Sequence, residues 1–228
     1  ALSVVVTYFC ILFKINFEMK RPDGLIFDMD GTLWDNVDTY VKCWNIGLEK
    51  TGHDKKVTRA DIRALMGKEA RYMLNTILPN ASEEEQNELF KAVIDAYLSM
   101  QGSMTPRVFP GVLEGLEKLS KKYKLYLVSN CEEGGLVNFM NYTNTRSLFL
   151  DYAEHGRNFQ PKSVNMQLLI ERNGLQSPVY IGDTDSDSRE AAKARVPFVF
   201  VTYGFGTTDR YVLKFDSFPE LTDYFMNL

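Results

Sequence analysis

Short apolar runs recur along the chain, and they are continuous rather than alternating with polar residues. Four of them stand at residues 24–28, 124–129, 178–183 and 197–201. Continuous runs of this length predict strands of a parallel sheet that is covered on both faces. Helix-spaced apolar residues occupy the stretches between them, and strands that alternate with helices define an α/β fold. We therefore expect a Rossmann-like core with a mainly parallel sheet.

One long stretch lacks such runs and carries a helical pattern instead. Thr58 with Asp61, and Ser82 with Glu85, have the spacing of capping boxes, which open helices. One amphipathic face comprises Val37, Tyr40, Val41, Trp44 and Leu48. The stretch therefore predicts an all-helical domain inserted into the α/β core.

These patterns divide the chain into three parts. The inserted helical cap is expected to span residues 36–106, and the α/β core is expected to comprise residues 19–35 and 107–228. Residues 1–18 are interpreted as a leader of uncertain origin that is foreign to the fold. Their apolar run is too short to span a bilayer and has no basic region before it, as a signal peptide would. An extra strand or a membrane-touching segment is the competing interpretation.

Composition narrows the class of protein. Of 228 residues, 45% are hydrophobic, which favours a packed core over disorder, and the net charge of −4 argues against a nucleic-acid binder. The three cysteines, Cys10, Cys43 and Cys131, are widely spaced and form no metal-binding or disulfide pattern. We interpret them as free thiols of a cytoplasmic protein, with no membrane and no nucleic acid among its partners.

Carboxylates follow two of the predicted strands. Asp28 ends the first run and Asp30 lies two residues further on. Asp183 ends the third run, and Asp187 follows it within the segment Gly-Asp-Thr-Asp-Ser-Asp. The second run ends on Ser129. Ligands of open parallel sheets sit beyond the carboxyl ends of the strands, so these side chains are expected to share one site. Clustered carboxylates repel one another unless a cation neutralises them, and oxygen-only ligands favour Mg²⁺.

The motifs resemble those of the haloacid dehalogenase-like hydrolase superfamily. Asp-Met-Asp-Gly-Thr-Leu at residues 28–33 is similar to its first motif, Val-Ser-Asn at 128–130 to its second, and residues 182–187 to its fourth. The resemblance covers the chain from about residue 21 to the C-terminus. The helical insertion stands where the superfamily carries its cap, so the closest likeness is to the phosphoglycolate-phosphatase-like subgroup.

The resemblance implies roles for the core residues. Asp28 would be the nucleophile that becomes an aspartyl phosphate, and Asp30 would act as general acid and then general base. Ser129 and the backbone of Asn130 would hold a phosphoryl oxygen. The expected Mg²⁺ ligands are Asp28, the carbonyl of Asp30, Asp183, and Asp187 either directly or through a further contact. A helix-capping role for Asp187 and a plain strand-end role for Ser129 are the alternatives.

The third motif of the superfamily is a lysine, and two residues of this chain compete for its position. Relatives carry a lysine followed by proline, whereas here Pro161 precedes Lys162, and alignment on the proline would select Gln160. Lys162 is preferred because a cation is needed to hold the nucleophile and the phosphate together. In the cap, Lys68 and Arg71 are candidates for contact with an anionic substrate, with surface solvation as the alternative.

The expected function is Mg²⁺-dependent hydrolysis of a small phosphorylated metabolite by a monomer or homodimer. A phosphosugar mutase would use the same aspartyl phosphate, so the motifs do not separate these two activities. A non-catalytic binding protein with this fold is a third hypothesis. The presence of Asp28, Asp30 and Asp183 speaks against that hypothesis, because the loss of one of them is the simplest route to it.

Overall fold

A computed structural model describes residues 19–100 and 104–228. The interpretation of residues 1–18, and of Cys10 within them, lies outside the described residues. Cys43 and Cys131 are free thiols, as expected. Within the described part of the chain, no helix is both long enough and apolar enough to cross a membrane.

A six-stranded parallel sheet forms the core. Its strands, in chain order, are β1 (Gly24–Phe27), β4 (Lys124–Ser129), β5 (Phe149–Glu154), β6 (Val179–Gly182), β7 (Phe198–Val201) and β8 (Leu213–Phe215). They lie in the order β5-β4-β1-β6-β7-β8, and every neighbouring pair is parallel. β1 is therefore central, and β4 and β6 flank it. This order brings the ends of the three strands with chemically active residues side by side.

Helices cover both faces of the sheet. In chain order they are α5 (Val112–Ser120), α6 (Gly135–Thr143), the single turn α7 (His155–Asn158), α8 (Lys162–Asn173), α9 (Asp185–Ala194) and α10 (Phe218–Asn227). One apolar cluster packs around Leu25, Phe27 and Ile181, and a second packs around Ile26 and Tyr180 on the opposite face. Side chains that alternate along one strand thus enter different clusters, which explains why the strands are apolar throughout.

The inserted part is entirely helical among its described residues. It comprises α1 (Val37–Lys50), α2 (Arg59–Leu65), α3 (Ala70–Ile77) and α4 (Glu83–Met100). These helices share an apolar cluster of their own, which includes Trp44, Leu48 and Leu89. Both expected capping boxes form, at Thr58 with Asp61 and at Ser82 with Glu85. The α/β class with a helical cap is confirmed, while the boundaries at residues 36 and 106 stay a prediction.

The two links between cap and core pair with each other. β2 (Trp34–Asp35) and β3 (Arg107–Val108) form a two-stranded antiparallel ribbon. The buried carboxylate of Asp35 accepts hydrogen bonds from Arg59 of the cap and from Arg107, the latter at 3.0 Å. This ribbon was not predicted from the sequence. The strand pairing and the ion pairs of Asp35 therefore hold the two links together.

Candidate active site

The loop after β1 places two carboxylates at the edge of the sheet. The Asp28 amide donates to the carbonyl of Ile181 in β6 at 2.8 Å, which ties the loop to the neighbouring strand. The chain then turns sharply at Gly31, where φ is +88°. A residue with a side chain rarely adopts this backbone conformation, so the turn requires glycine. Asp28 and Asp30 are both buried at this turn.

Lys162 meets the first of these carboxylates. It is the first residue of α8, its side chain is only 2% exposed, and its Nζ lies 2.9 Å from Oδ1 of Asp28. The same Nζ lies 2.7 Å from Oδ1 of Asp187. Gln160 is exposed, and its carbonyl oxygen is 3.0 Å from Nδ1 of His155. Position therefore favours Lys162 over Gln160 for the cation of the third motif.

Three carboxylates converge beside this lysine. Asp28, Asp183 and Asp187 each offer an oxygen, and these oxygens lie within 4.8 Å of one another. All three residues are buried, and the ligand atoms are oxygens only, a combination that suits a hard divalent cation. The backbone amide of Phe205 donates to Oδ2 of Asp183 at 2.6 Å and orients that carboxylate. The donor set therefore fits the divalent metal that the sequence predicts.

Both carboxylate oxygens of Asp187 accept hydrogen bonds from neighbouring residues. Its Oδ2 accepts from the amide and the hydroxyl of Thr184, which closes a capping box at the start of α9. Its Oδ1 accepts from Lys162 and, at 3.0 Å, from the hydroxyl of Tyr180. The capping role considered for Asp187 is thus real. The same contacts hold the carboxylate in position beside Lys162 and Asp183.

The pKa values of this cluster follow from burial and mutual charge. Burial raises the pKa of Asp28 to about 6, although Lys162 opposes the shift. Burial and the charges of Asp187 and Asp28 raise the pKa of Asp183 well above its usual value. Burial alone would lower the pKa of Lys162, but the charges of Asp187 and Asp28 outweigh it and raise that pKa. The pKa values of Asp28 and Asp183, two of the three clustered carboxylates, are thus raised, and a bound cation would stabilise their charged forms.

Asp30 lies outside the group of three carboxylates and has a different hydrogen-bond partner. Its Oδ1 accepts a hydrogen bond from Nε1 of Trp34 at 2.9 Å. Burial and, after it, the charge of Asp28 raise the pKa of Asp30 to about 7. A carboxyl group with such a pKa exchanges a proton close to neutral pH, which is what general acid–base catalysis requires. The sequence analysis expected only the carbonyl of Asp30 among the metal ligands, and the side chain takes no part in the cluster of the described carboxylates.

Ser129 and Asn130 stand at the end of β4, next to Asp28. Ser129 is buried, and its hydroxyl accepts from the amide of Cys131 at 3.2 Å. The Asn130 side chain donates to the carbonyl of Gly67 in the cap at 2.9 Å, so it joins core to cap. Both residues line a cavity that Asp28 and Asp30 also line. The expected phosphate-binding residues are therefore close to the expected nucleophile.

The two cap candidates differ in position. Lys68 lines the same cavity, beside Gly67. Arg71 does not line it among the described residues, because its guanidinium pairs with Glu83 at 2.9 Å and donates to Gln86 at 3.1 Å. The expectation that Arg71 reaches the substrate is therefore not supported by its position, since these two bonds hold it on the outside of the cap.

Two contributors to the site were not foreseen. Glu154 ends β5, and its buried carboxylate accepts from the amides of Gly134 at 2.9 Å and Leu136 at 3.2 Å. These bonds fix the loop that follows Ser129. Trp34 is buried in the core, and its indole N–H also holds Asp30. A signal for Glu154 existed, because it ends a strand at the same sheet edge, but β5 itself was not predicted.

Comparison with known proteins agrees with this geometry. The sequence model of the haloacid dehalogenase-like hydrolase family matches residues 25–201. The phosphoglycolate phosphatase of Rhodobacter capsulatus is 29% identical over 224 residues, covering 87% of this chain and 94% of that protein. The phosphoglycolate phosphatase of Psychrobacter arcticus is 29% identical over 223 residues, covering 89% and 95%. A haloacid dehalogenase-like hydrolase from Streptococcus pneumoniae superposes with a TM-score of 0.81 at 20% identity, covering 91% and 100%.

A parallel α/β core with carboxylates at its carboxyl edge, beneath an inserted helical cap, is the architecture of a capped hydrolase. The chain belongs to the haloacid dehalogenase-like hydrolase family. Within that family it is a phosphatase, that is, a phosphoric monoester hydrolase.

Proposed function

We propose that this phosphatase is Mg²⁺-dependent and hydrolyses a small phosphorylated metabolite through an aspartyl phosphate on Asp28. The observation that carries the proposal is the position of the Asp28 carboxylate. It is buried, and Lys162 holds one of its oxygens. Asp183 and Asp187 lie close enough to Asp28 for one metal ion to bind all three carboxylates. A carboxylate so placed is oriented by fixed partners before any substrate binds, which favours nucleophilic attack.

Mg²⁺ would be held by Asp28, the carbonyl of Asp30 and Asp183, with Asp187 as a direct ligand or as the partner that positions Lys162. When bound, it would neutralise the carboxylates and polarise a phosphoryl oxygen. Magnesium retains several waters and is commonly held by one or two carboxylates together with substrate phosphate. Three buried carboxylates, of which Asp28 also lines the cavity, suit that mode of binding.

The remaining roles follow from the same contacts. Asp28 would attack phosphorus and displace the alcohol, and Asp30 would donate a proton to the leaving oxygen. Asp30 would then remove a proton from the water that hydrolyses the aspartyl phosphate. The non-reacting phosphoryl oxygens would accept hydrogen bonds from Ser129, the backbone amide of Asn130 and Lys162. These donors would stabilise the negative charge that develops on the oxygens in the transition state.

The cap argues for a small substrate. Asn130 bonds to Gly67 of the cap, and Arg63 of the cap donates to the carbonyl of Gly204 in the core at 2.8 Å. These contacts hold the cap against the core near Asp28, which favours a small substrate over a folded protein. The names of the relatives make phosphoglycolate the first reference compound. The free thiols Cys43 and Cys131 favour the cytoplasm as the location.

The test is phosphate release from a panel of small phosphomonoesters, with and without Mg²⁺, for the parent and for Asp28→Asn. We expect release that requires Mg²⁺ and that is lost in the variant. The aspartyl phosphate is tested separately by mass spectrometry of the protein after an acid quench. Full activity of Asp28→Asn, or equal activity in the presence of a chelator, would contradict the proposal. Formation of the aspartyl phosphate without net phosphate release would indicate a mutase.

A further inference from the structure

A cavity of about 130 Å³ adjoins the proposed nucleophile. Its core side is lined by Asp28, Asp30, Ser129 and Asn130, where the phosphoryl group would bind. Its other side belongs to the cap. The part of a substrate that remains outside the phosphate site therefore contacts the cap wall, and the chemistry of that wall selects the organic group.

The cap wall is apolar and aromatic. The cap residues that line it include Trp44, Met73, Phe90, Val93, Ile94 and Tyr97. The ring of Tyr97 is part of this wall, and its hydroxyl accepts a hydrogen bond from Nδ2 of Asn138 at 3.0 Å. The ring of Tyr97 also stacks on Tyr40 at 5.8 Å between centroids, which stiffens the wall. Apolar ligand groups gain from burial against such a surface.

The charges around the cavity are mainly negative. Besides Asp28 and Asp30, Glu132 and Glu133 line it, and Lys68 is the single cation among the lining residues that the structure describes. The Nζ of Lys68 lies 5.7 Å from the ring centroid of Tyr72, a residue that is 55% exposed, so this ammonium stands at the outer rim. A carboxylate on the organic group would enter a cavity that is already lined by two glutamates. Among the described residues, the apolar wall offers no cation to pair with it.

We propose that the substrate's organic group is uncharged and largely apolar, so that the preferred class is phosphomonoesters of apolar or aromatic alcohols rather than of hydroxy acids. This inference rests on the proposed phosphatase function. The cavity of about 130 Å³ must hold the phosphoryl group as well, and an apolar protein cavity of about 150 Å³ binds benzene. The organic group can therefore be no larger than about one six-membered ring or a short branched chain. The proposal thus separates this chain from relatives whose names specify phosphoglycolate.

The first experiment compares benzyl phosphate with phosphoglycolate on the parent protein in Mg²⁺. Both esters release a primary alkoxide, so a difference in kcat/KM reports binding of the organic group rather than leaving-group reactivity. We expect benzyl phosphate to be favoured by about tenfold or more, the discrimination that an apolar pocket gives for one or two carbon groups. A smaller ratio, or a preference for phosphoglycolate, would overturn this inference and leave the phosphatase function intact. Hydrolysis of neither compound, nor of any other phosphomonoester, would overturn both.

The second experiment changes the wall. Met73→Arg places a cation at the cavity, and Thr76→Arg adds the same charge at an exposed position of α3 that does not line the cavity. We expect Met73→Arg to shift the ratio of kcat/KM values towards phosphoglycolate by about tenfold or more, and Thr76→Arg to leave it within about twofold. Equal ratios for both variants, with circular dichroism spectra like the parent's, would overturn the proposal. If Met73→Arg does not fold, the ratio of the parent alone decides.

Discussion

Lys162 Nζ lies 2.9 Å from Oδ1 of Asp28, although 134 residues separate the two along the chain. The contact depends on the sheet order, because Asp28 directly follows β1, which lies between β4 and β6, and α8 begins close to the same edge. Asp187 receives the other hydrogen bond of this ammonium at 2.7 Å. A single buried cation thus links two of the three clustered carboxylates, which orients the proposed nucleophile before a substrate arrives.

Replacing this lysine is expected to impair catalysis more than it alters the fold. In Lys162→Met, Asp28 loses the hydrogen bond that orients it, and the phosphate loses one donor. We expect kcat to fall by about 10²-fold or more, the usual effect of removing one positioned donor. Stability should also fall, by about 3–5 kcal/mol without metal, because two buried carboxylates lose their counter-charge. Phosphate release and urea unfolding measure the two effects.

Gln160→Ala is the matched control for Lys162→Met, because Gln160 is the other candidate that the third motif left open. Its side chain is exposed, and its backbone carbonyl, which faces His155, is kept in the variant. We expect a kcat within about twofold of the parent's. A large loss of kcat in Gln160→Ala together with a small loss in Lys162→Met would contradict the assignment of the cation.

Asp30→Asn should separate the two half-reactions. The general acid is needed when an alkoxide leaves but not when the stable p-nitrophenolate leaves, and the general base is needed for both substrates in the second step. With p-nitrophenyl phosphate we therefore expect a burst of about one equivalent of product and then slow turnover. With an alkyl phosphate we expect no burst and a loss of about 10²–10⁴-fold in rate. Stopped-flow absorbance and quenched phosphate assays measure this, and equal losses without a burst would contradict the role.

Lys68 and Arg71 are three residues apart in sequence and differ in what they contact. Lys68→Met removes a cation from the rim of the cavity. We expect KM for phosphomonoesters to rise severalfold with little change in kcat, because this interaction would stabilise the bound substrate and the transition state equally. Arg71→Met should leave KM unchanged and lower the free energy of unfolding by at most about 1 kcal/mol, because its pair with Glu83 is exposed. Steady-state kinetics with thermal unfolding test both. A higher KM for Arg71→Met would restore its predicted role.

The sequence predicted the sites that depend on strand ends. Asp28, Ser129 and Asp183 each follow or end an apolar run, and parallel strands bring their carboxyl ends to one edge, so their proximity follows from the topology alone. β5 was missed because it is an edge strand that carries Asp151 and the exposed Leu150, and its pattern is not that of a strand covered on both faces.

The cap was predictable as a set of helices but not as a binding surface. Trp44 and Tyr97 read as members of apolar helix faces, and only the packing of α1 against α4 turns parts of those faces towards Asp28. The same holds for Arg71, because local sequence does not say which side of α3 meets α4, and for Lys68, which lies in the turn before α3. Side-chain partners of this kind are decided by tertiary contacts, which a helical period does not encode.

Substitution of Gly31 tests the proposed metal site, because Gly31 lies against the carboxylate of Asp183. A β-carbon at this position would overlap the carboxylate of Asp183, and φ there is +88°, so Gly31→Ala combines backbone strain with displacement of a metal ligand. Gly52→Ala is the matched control, because Gly52 has a φ of +76° and its β-carbon would meet nothing within 4 Å. Both variants should lose about 1 kcal/mol of stability from strain.

We expect Gly31→Ala alone to need about tenfold or more Mg²⁺ for half-maximal activity, because the proposed ligand Asp183 must move away from the added methyl group. Gly52→Ala should keep the metal requirement of the parent, since it lies at the end of α1 in the cap. Titration of phosphate release with Mg²⁺, and calorimetric titration of the metal without substrate, measure the shift. If the two variants show equal metal affinities at equal loss of stability, Asp183 is not a ligand.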